Sequence, residues 1–389
     1  VKLINKRIYL DNNATAPLAE TVQQWYAKGA LPFGNPSSIH TSGKQAKKYI
    51  NETTSYLKSL FKIPKFEIFY HSGATEGINS IIKGFCINKM SHKKDFHVVV
   101  FSTDHSCVVN QREHVELFGG SFHELKVDEN GDFKIDEVVD YISNLSGDVL
   151  LNYTLINNES GVVWSLNDAI EIKSKTNCFV HIDAVQLVGK FTKDLSLSEQ
   201  IDFYTFSGHK FGAMKGIGFS LLKDPSQNWS ALIRGGGQQQ AMRSGTENVH
   251  GIYSLKLALE ELVQGFDTEL LGAEKKLIED ALIENYQDRI KIVSQHAKKR
   301  NLNTIYMIVD GVKTDILITA FDMAQIDLSS GSACSSGTVK PSRVLLAMGY
   351  SEEQAKNSIR LSLPYNISSG DSEVIISKLR SVLDRFLKK

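Results

Sequence analysis

The sequence predicts an α/β protein: a large domain with a mostly parallel sheet covered by helices, plus a smaller α+β domain. Three observations carry that expectation. Short β-branched or aromatic runs, bounded by Gly, Ser, Asn or Asp, recur from about Asn35 to Leu222. Helical spacing separates several of them, as with Ile78, Ile81, Ile82 and Phe85 at i, i+3, i+4 and i+7. After Gly251 the texture changes to long helical stretches with isolated strand patterns.

Taken in order, strands are expected at residues 67–70, 97–101, 149–156, 178–182, 203–206 and 218–222. Ligands of such sheets bind beyond the carboxyl ends of the strands, where the loops lie. A helical stretch then runs over residues 252–286, with a break near Gln264 and Gly265. A strand pattern follows at 303–309, then a helix at 315–324 with Thr314 as its N-cap, and a strand at 358–363. The last helix opens after residues 368–371 and places Val374, Ile375, Leu379, Val382, Leu383 and Phe386 on one face. The expected division is a large domain over 15–260, with 1–14 and 261–389 forming the small domain. The small domain carries a Ser/Gly-rich loop at about 328–337.

Composition excludes several classes. The chain has 389 residues, 42% hydrophobic and 23% charged, which is globular rather than disordered. Lys plus Arg and Asp plus Glu number 44 each, so charge offers no argument for nucleic acid or an anionic membrane. Cys86, Cys107, Cys178 and Cys334 form no CxxC pair, neither a disulfide framework nor a zinc spacing, and a reducing compartment is expected. No apolar run reaches the ~18 residues of a membrane span. The opening VKLINKRIYLDNNA lacks the apolar stretch and cleavage site of a signal peptide, so a cytoplasmic location is expected.

Three segments could carry chemistry. SGATEG (72–77) follows a strand and opens a helix, where free backbone N–H groups and the helix dipole suit a phosphate; a plain βα turn is the alternative. In VHIDAVQ (180–186), Asp183 ends an apolar strand, so either a cation satisfies it or it sits exposed, for instance as an N-cap. In FSGHKFGAMKGIG (206–218), Lys210 follows a strand end and precedes a glycine-rich segment without the GxxxxGK[ST] pattern. It is either a surface lysine or an amine for Schiff-base chemistry. A phosphate cradle, a strand-end Asp for a pyridinium nitrogen and a lysine for an aldehyde are together what pyridoxal phosphate requires.

With these pieces in place, the sequence resembles the cysteine desulfurases, fold-type I pyridoxal-phosphate enzymes related to the class V aminotransferases. YLDNNAT (9–15), GNPSSIH (34–40), SGATEG, NNESG (157–161), VHIDAVQ, TFSGHK (205–210), RGGGQQQAMRSGTEN (234–248), SGSACSSG (330–337) and SIRLSL (358–363) occur in the family's order across essentially the whole chain. The resemblance implies that Lys210 holds the cofactor covalently and that Asp183 pairs with its ring nitrogen. His105 would stack on the ring, an ordinary strand-end histidine being the alternative, and act as acid or base on the substrate thiol. Gln186 would touch the phenolic oxygen, and Asn158 would lie beside ring and substrate. Ala74, Thr75, Ser207 and His209 would bind the phosphate, joined by Thr246 of a neighbouring subunit, which implies a homodimer. Asn35 and Arg360 would bind substrate, the guanidinium clamping its carboxylate. Cys334 would accept the sulfur.

Cys86 and Cys178 read as buried structural thiols, while Cys107, close to His105, stays undecided. Cys334, set among Ser and Gly, reads as mobile and exposed, as a nucleophile that collects and delivers sulfur needs to be. The helix-like VLLAMG segment after Pro341 anchors the far end of its loop. The implied reaction removes sulfur from L-cysteine, giving L-alanine and a persulfide on Cys334. The long loop favours the branch that supplies iron–sulfur cluster assembly and tRNA thiolation through sulfur-acceptor proteins. Ala16 and Ser160 depart from the usual pattern, but neither holds a proposed role. The competing readings are a related selenocysteine or cysteine lyase and a non-catalytic scaffold for sulfur-accepting proteins.

Overall fold

The structure is a computed structural model that describes residues 3–4, 7–225, 228–331 and 340–388. Its strands, in chain order, are β1 (Leu3–Ile4), β2 (Arg7–Tyr9), β3 (Glu67–His71), β4 (Phe96–Phe101), β5 (Ser121–Leu125), β6 (Asp148–Thr154) and β7 (Phe179–Asp183). They continue with β8 (Phe203–Ser207), β9 (Gly218–Leu222), β10 (Ile290–Ile292), β11 (Thr304–Val309), β12 (Ile326–Asp327) and β13 (Ser358–Ser362). The principal sheet has the order β3-β9-β8-β7-β6-β4-β5. β5, β4, β6, β7 and β8 pair in parallel, and β9 runs antiparallel to both β8 and β3. β3 therefore points the same way as the parallel strands.

Both faces of this sheet are covered, which is why its central strands read as near-continuous apolar runs. Side-chain alternation sends Val99 and Phe101 of β4 into one apolar cluster and Val98 and Val100 into another. Helix Ala74–Ser91 lies in the second cluster, with Ile78, Ile81, Ile82 and Phe85 buried as their spacing predicts. A smaller antiparallel sheet, β10-β11-β13, belongs to the C-terminal half. Helices Thr268–Tyr286 and Asp371–Leu387 accompany it, and Ile278, Leu282, Leu379 and Val382 share its core. The chain start reaches this region, because β2 pairs in parallel with β12 and Asp11 bridges Ser362.

The structure adjusts several expectations. The break in the long helical stretch falls between Val249–Gly265 and Thr268–Tyr286, two residues beyond the one predicted. Asp267 makes the break, since its side chain caps the second helix by accepting from the N–H groups of Glu269 and Leu270. Thr314 is not an N-cap. It lies inside helix Thr314–Met323, and its hydroxyl donates instead to the carbonyls of Lys356 and Ser358, each at 2.8 Å. Val374 faces solvent rather than the core. β5 and β10 had no sequence signal, as β10 is only three residues long and β5 is a half-exposed edge strand. No helix among the described residues is long and apolar enough to cross a membrane.

Candidate active site

The common direction of β3, β4, β6, β7 and β8 brings five carboxyl-terminal ends to one edge of the sheet. A cavity of about 600 Å³ opens there. Of the expected site residues, Ala74, Thr75, His105, Asn158, Asp183, Gln186, Ser207, His209 and Lys210 all line it.

Lys210 ends a single turn, Gly208–Lys210, that follows β8. Its Nζ donates to the carbonyls of Asn13 and Ala14, both at 2.8 Å. Burial and then the Arg360 charge push it down to about 8, against the pull of Asp11 and Asp183. A lysine there is neutral in a useful fraction near neutral pH, as a nucleophilic amine must be. Asp183 terminates the neighbouring β7 and is buried, which pushes its carboxyl up to about 6. One oxygen accepts the N–H of Val185 at 3.0 Å, and the segment beyond it is a turn, so the N-cap alternative for Asp183 does not apply. A carboxyl held up by burial gains from a cation placed beside it.

His105 caps the short helix Ser106–Val109: its Nδ1 accepts the Cys107 N–H at 3.2 Å and lies 3.1 Å from Cys107 Sγ. Although the residue is partly exposed, desolvation at the cavity wall, with Lys210 and Arg343, holds the ring below its usual range; because Nδ1 accepts the Cys107 N–H, it is the bare nitrogen of the neutral ring and Nε2 carries the hydrogen. Helix Ala74–Ser91 starts without any side-chain cap, and a Cβ on Gly73 would meet nothing within 4 Å. Its first turn, Ala74 to Glu76, lines the cavity together with Gly73, and an uncapped helix start in that place suits an anion. His209, lowered to about 4 by burial and by Lys210, Lys190 and Lys215, is a neutral hydrogen-bonding group with Nδ1 3.2 Å from Thr15 Oγ1. Gln186 donates to the Asn13 carbonyl at 3.1 Å, while its Oε1 is buried without a partner.

Other expected residues lie elsewhere. Arg360 is buried on β13, not exposed, and does not line the cavity. Its guanidinium donates to Asn158 O (2.9 Å), Asp11 Oδ1 (2.9 Å) and Ser329 Oγ (2.8 Å). Asn35 and Thr246 are exposed and outside the cavity lining. Cys86 and Cys178 are buried and free, as expected. Cys334 and most of its loop lie outside the described residues. The cavity also takes in Thr154, Lys215 and Cys107, which the sequence reading did not assign. Cys107 carried a signal in its spacing from His105, and Thr154 in its position at the end of an apolar strand. Burial, and then Asp183 and Asp104, push the Cys107 thiol upward, so it rests as the neutral thiol.

The class-V aminotransferase family model matches residues 8–373. A cysteine desulfurase IscS of Clostridium botulinum is 30% identical over 385 residues, covering 98% of this chain and 95% of its own. A putative cysteine desulfurase IscS 1 of Bacillus subtilis is 33% identical over 362 residues, covering 92% and 93%. The chain belongs to the class-V aminotransferases, in their cysteine desulfurase branch. A solved NifS-like protein of Rickettsia africae superposes with a TM-score of 0.83 at 28% identity, covering 97% of this chain and 99% of that one.

Membership in the cysteine desulfurases implies pyridoxal phosphate, and the cavity fits it. The uncapped helix start suits the phosphate, and the buried Asp183 carboxyl suits a protonated ring nitrogen. Gln186 Oε1 awaits a donor, and Lys210 supplies an amine. The cavity volume also falls within the ~300–1,000 Å³ typical of small-molecule sites.

Proposed function

We propose that this chain is a pyridoxal-phosphate-dependent cysteine desulfurase that converts L-cysteine to L-alanine and leaves the sulfur as a persulfide on Cys334. The observation that carries the reading is the meeting of Lys210 and Asp183, from the ends of adjacent parallel strands, in one cavity with an uncapped helix start. When bound, the cofactor supplies an electron sink for negative charge at the substrate α-carbon.

The chain's own residues do the rest. Lys210 holds the cofactor and, as a neutral amine, takes the α-proton. Asp183 keeps the ring nitrogen protonated. Ala74, Thr75, Ser207 and His209 hold the phosphate, and His105 covers the ring and serves as acid or base at the substrate thiol. The Cys334 thiolate attacks the substrate sulfur. The new S–S bond forms as the carbon–sulfur bond breaks, its electrons stay on carbon, and a proton completes alanine. Arg360 and Asn35 bind the substrate carboxylate side, which requires Arg360 to exchange a present partner, Asp11 or Ser329, for substrate.

The molecule functions as a homodimer in which Thr246 reaches the partner's phosphate, and sulfur-acceptor proteins of iron–sulfur assembly or tRNA thiolation receive the persulfide. Its chemistry needs a reducing, cytoplasmic setting, which suits the free thiols of Cys86, Cys107 and Cys178. The large domain spans 15–260, and 1–14 with 261–389 form the small one; the β2–β12 pairing supports placing the chain start with the C-terminal part, and helix Val249–Gly265 runs across the boundary. Purified chain supplied with pyridoxal phosphate, L-cysteine and a thiol reductant should release alanine and sulfide in equal amounts. Cys334→Ala should abolish both while the cofactor stays bound. Retention of sulfide release by Cys334→Ala would replace this reading with a lyase.

A further inference from the structure

Six polar side chains lie buried across the middle of the principal sheet, where Val, Ile and Phe otherwise predominate: His71, Ser220, Thr205, His181, Asn152 and Asp104. One comes from each of β3, β9, β8, β7 and β6, and Asp104 lies just past β4. They form an unbroken series of hydrogen bonds. His71 Nε2 lies 3.0 Å from Ser220 Oγ, which lies 2.9 Å from Thr205 Oγ1. Thr205 Oγ1 is 2.8 Å from His181 Nε2, and His181 Nδ1 is 2.7 Å from Asn152 Oδ1. Asn152 Nδ2 donates to Asp104 Oδ2 at 2.8 Å, which also accepts the Phe101 N–H at 3.0 Å.

The series has one direction. Burial holds His181 and His71 neutral, at about 3 and about 4 respectively. Because the Asn152 amide nitrogen donates to Asp104, its oxygen must accept from His181 Nδ1–H. His181 Nε2 is then the bare nitrogen, so Thr205 donates to it, Ser220 donates to Thr205, and His71 Nε2–H donates to Ser220. That leaves His71 Nδ1 bare, and it has no hydrogen-bond partner among the described residues.

The position of the series matters as much as its continuity. Side chains two residues apart on a strand share a face. Asn152, His181 and Thr205 therefore sit one layer beneath the cavity-lining Thr154, Asp183 and Ser207. His71 directly precedes the Ser72–Gly73 turn at the helix start, and Asp104 directly precedes His105. Six buried polar groups are a costly way to fill a core that apolar residues of similar volume would fill with less desolvation. Hydrogen bonds with fixed geometry do what apolar packing does not: they set the relative height of neighbouring strand ends.

We propose that this six-residue series is a single positioning device for the cofactor site, with His181 at its centre, aligning the strand ends that present the phosphate turn, Ser207, Asp183 and His105. None of its members lines the cavity, so each is a positioning residue and not a catalytic one. The inference rests on the pyridoxal-phosphate reading above.

The test uses the full chain stripped of cofactor and titrated with pyridoxal phosphate by fluorescence and visible absorbance. Thr205→Val keeps the shape and removes the central hydroxyl, while Thr205→Ser restores it. Thr205→Val should weaken the affinity by about fivefold and Thr205→Ser by less than about twofold. Ser220→Ala, which deletes one oxygen farther from the cavity, should weaken it by a factor similar to Thr205→Val and serves if Thr205→Val does not fold. Wild-type affinity in the variant that breaks the series, whatever its melting temperature, overturns the inference, and so does an equal loss in Thr205→Ser and Thr205→Val. Absence of binding by the unaltered chain overturns the cofactor reading and this inference with it, which keeps the two failures distinct.

Discussion

Lys210 and Lys190 lie in the same buried region and are connected, since Lys190 Nζ donates to the Lys210 carbonyl at 2.8 Å. Lys210→Ala removes the amine proposed to hold the cofactor. The variant should lose the visible absorbance of bound pyridoxal phosphate and at least about 10³-fold of its alanine production, read by spectrophotometry and amino-acid analysis. Lys190 is lowered to about 7, first by burial and then by Lys210 and Arg360. Its folded-state value therefore lies below the ~10.4 of an unfolded lysine, and the folded chain binds fewer protons between those limits. Stability from this group rises as pH increases from about 7 toward 10, and the cost of burying its charge is fully present below 7. Lys190→Met should accordingly compare best with the unaltered chain at pH 6 and lose ground by pH 9, measured by urea unfolding at both values.

At the scale of elements, two contacts hold the site together. Helix Ala74–Ser91 lies close on the sheet at Gly77, where a Cβ would clash with His71 Nε2 and come within 2.8 Å of Ser220 Oγ. Gly→Ala inside a helix usually stabilises by about 1 kcal/mol. Here Gly77→Ala should instead destabilise by about 1–3 kcal/mol, because the helix start must lift from the strands. Thermal or urea unfolding gives the sign. The second contact is the Glu159 carboxyl, which accepts from Ser342 Oγ at 2.6 Å, while a Cβ on Gly331 would collide with Glu159 Oε2 and Tyr306 OH. Ser342 in turn caps helix Arg343–Ala347, and Arg343 donates to the carbonyls of Ser102 and Asp104. Glu159 thus touches residues on both sides of the Cys334 segment. A double-mutant cycle of Glu159→Ala and Ser342→Ala should give a coupling of about 1 kcal/mol or more by urea unfolding.

For the whole molecule, the proposed homodimer has a test in the exposed surface. Phe33 and Ile39 are each 88% exposed, on either side of the Asn35–Ser38 turn, and Thr246 is exposed as well. Burying two large apolar side chains that a monomer leaves in water stabilises an assembly by about 1.5–3 kcal/mol each. Sedimentation should find a dimer, and Phe33→Asp combined with Ile39→Asp should shift it toward monomer and weaken cofactor retention.

The amino-acid sequence by itself determined the alternation of strand and helix, the helix that opens within SGATEG, and the placing of Asp183 and Lys210 at strand ends, because local periodicity is a property of short segments; the roles expected of the two residues came from the family resemblance. It also determined that Cys86 and Cys178 are buried. What only the tertiary structure decided is which side chains share a partner across the sheet. Thr314 left its expected cap position for carbonyls more than forty residues away. Arg360 took Asp11, Ser329 and the Asn158 carbonyl as partners, and His181 became the middle of a series running from His71 to Asp104. A polar residue in an apolar strand announces that it needs a partner, but the partner comes from strands distant in sequence, and only the packed sheet brings them within 3 Å.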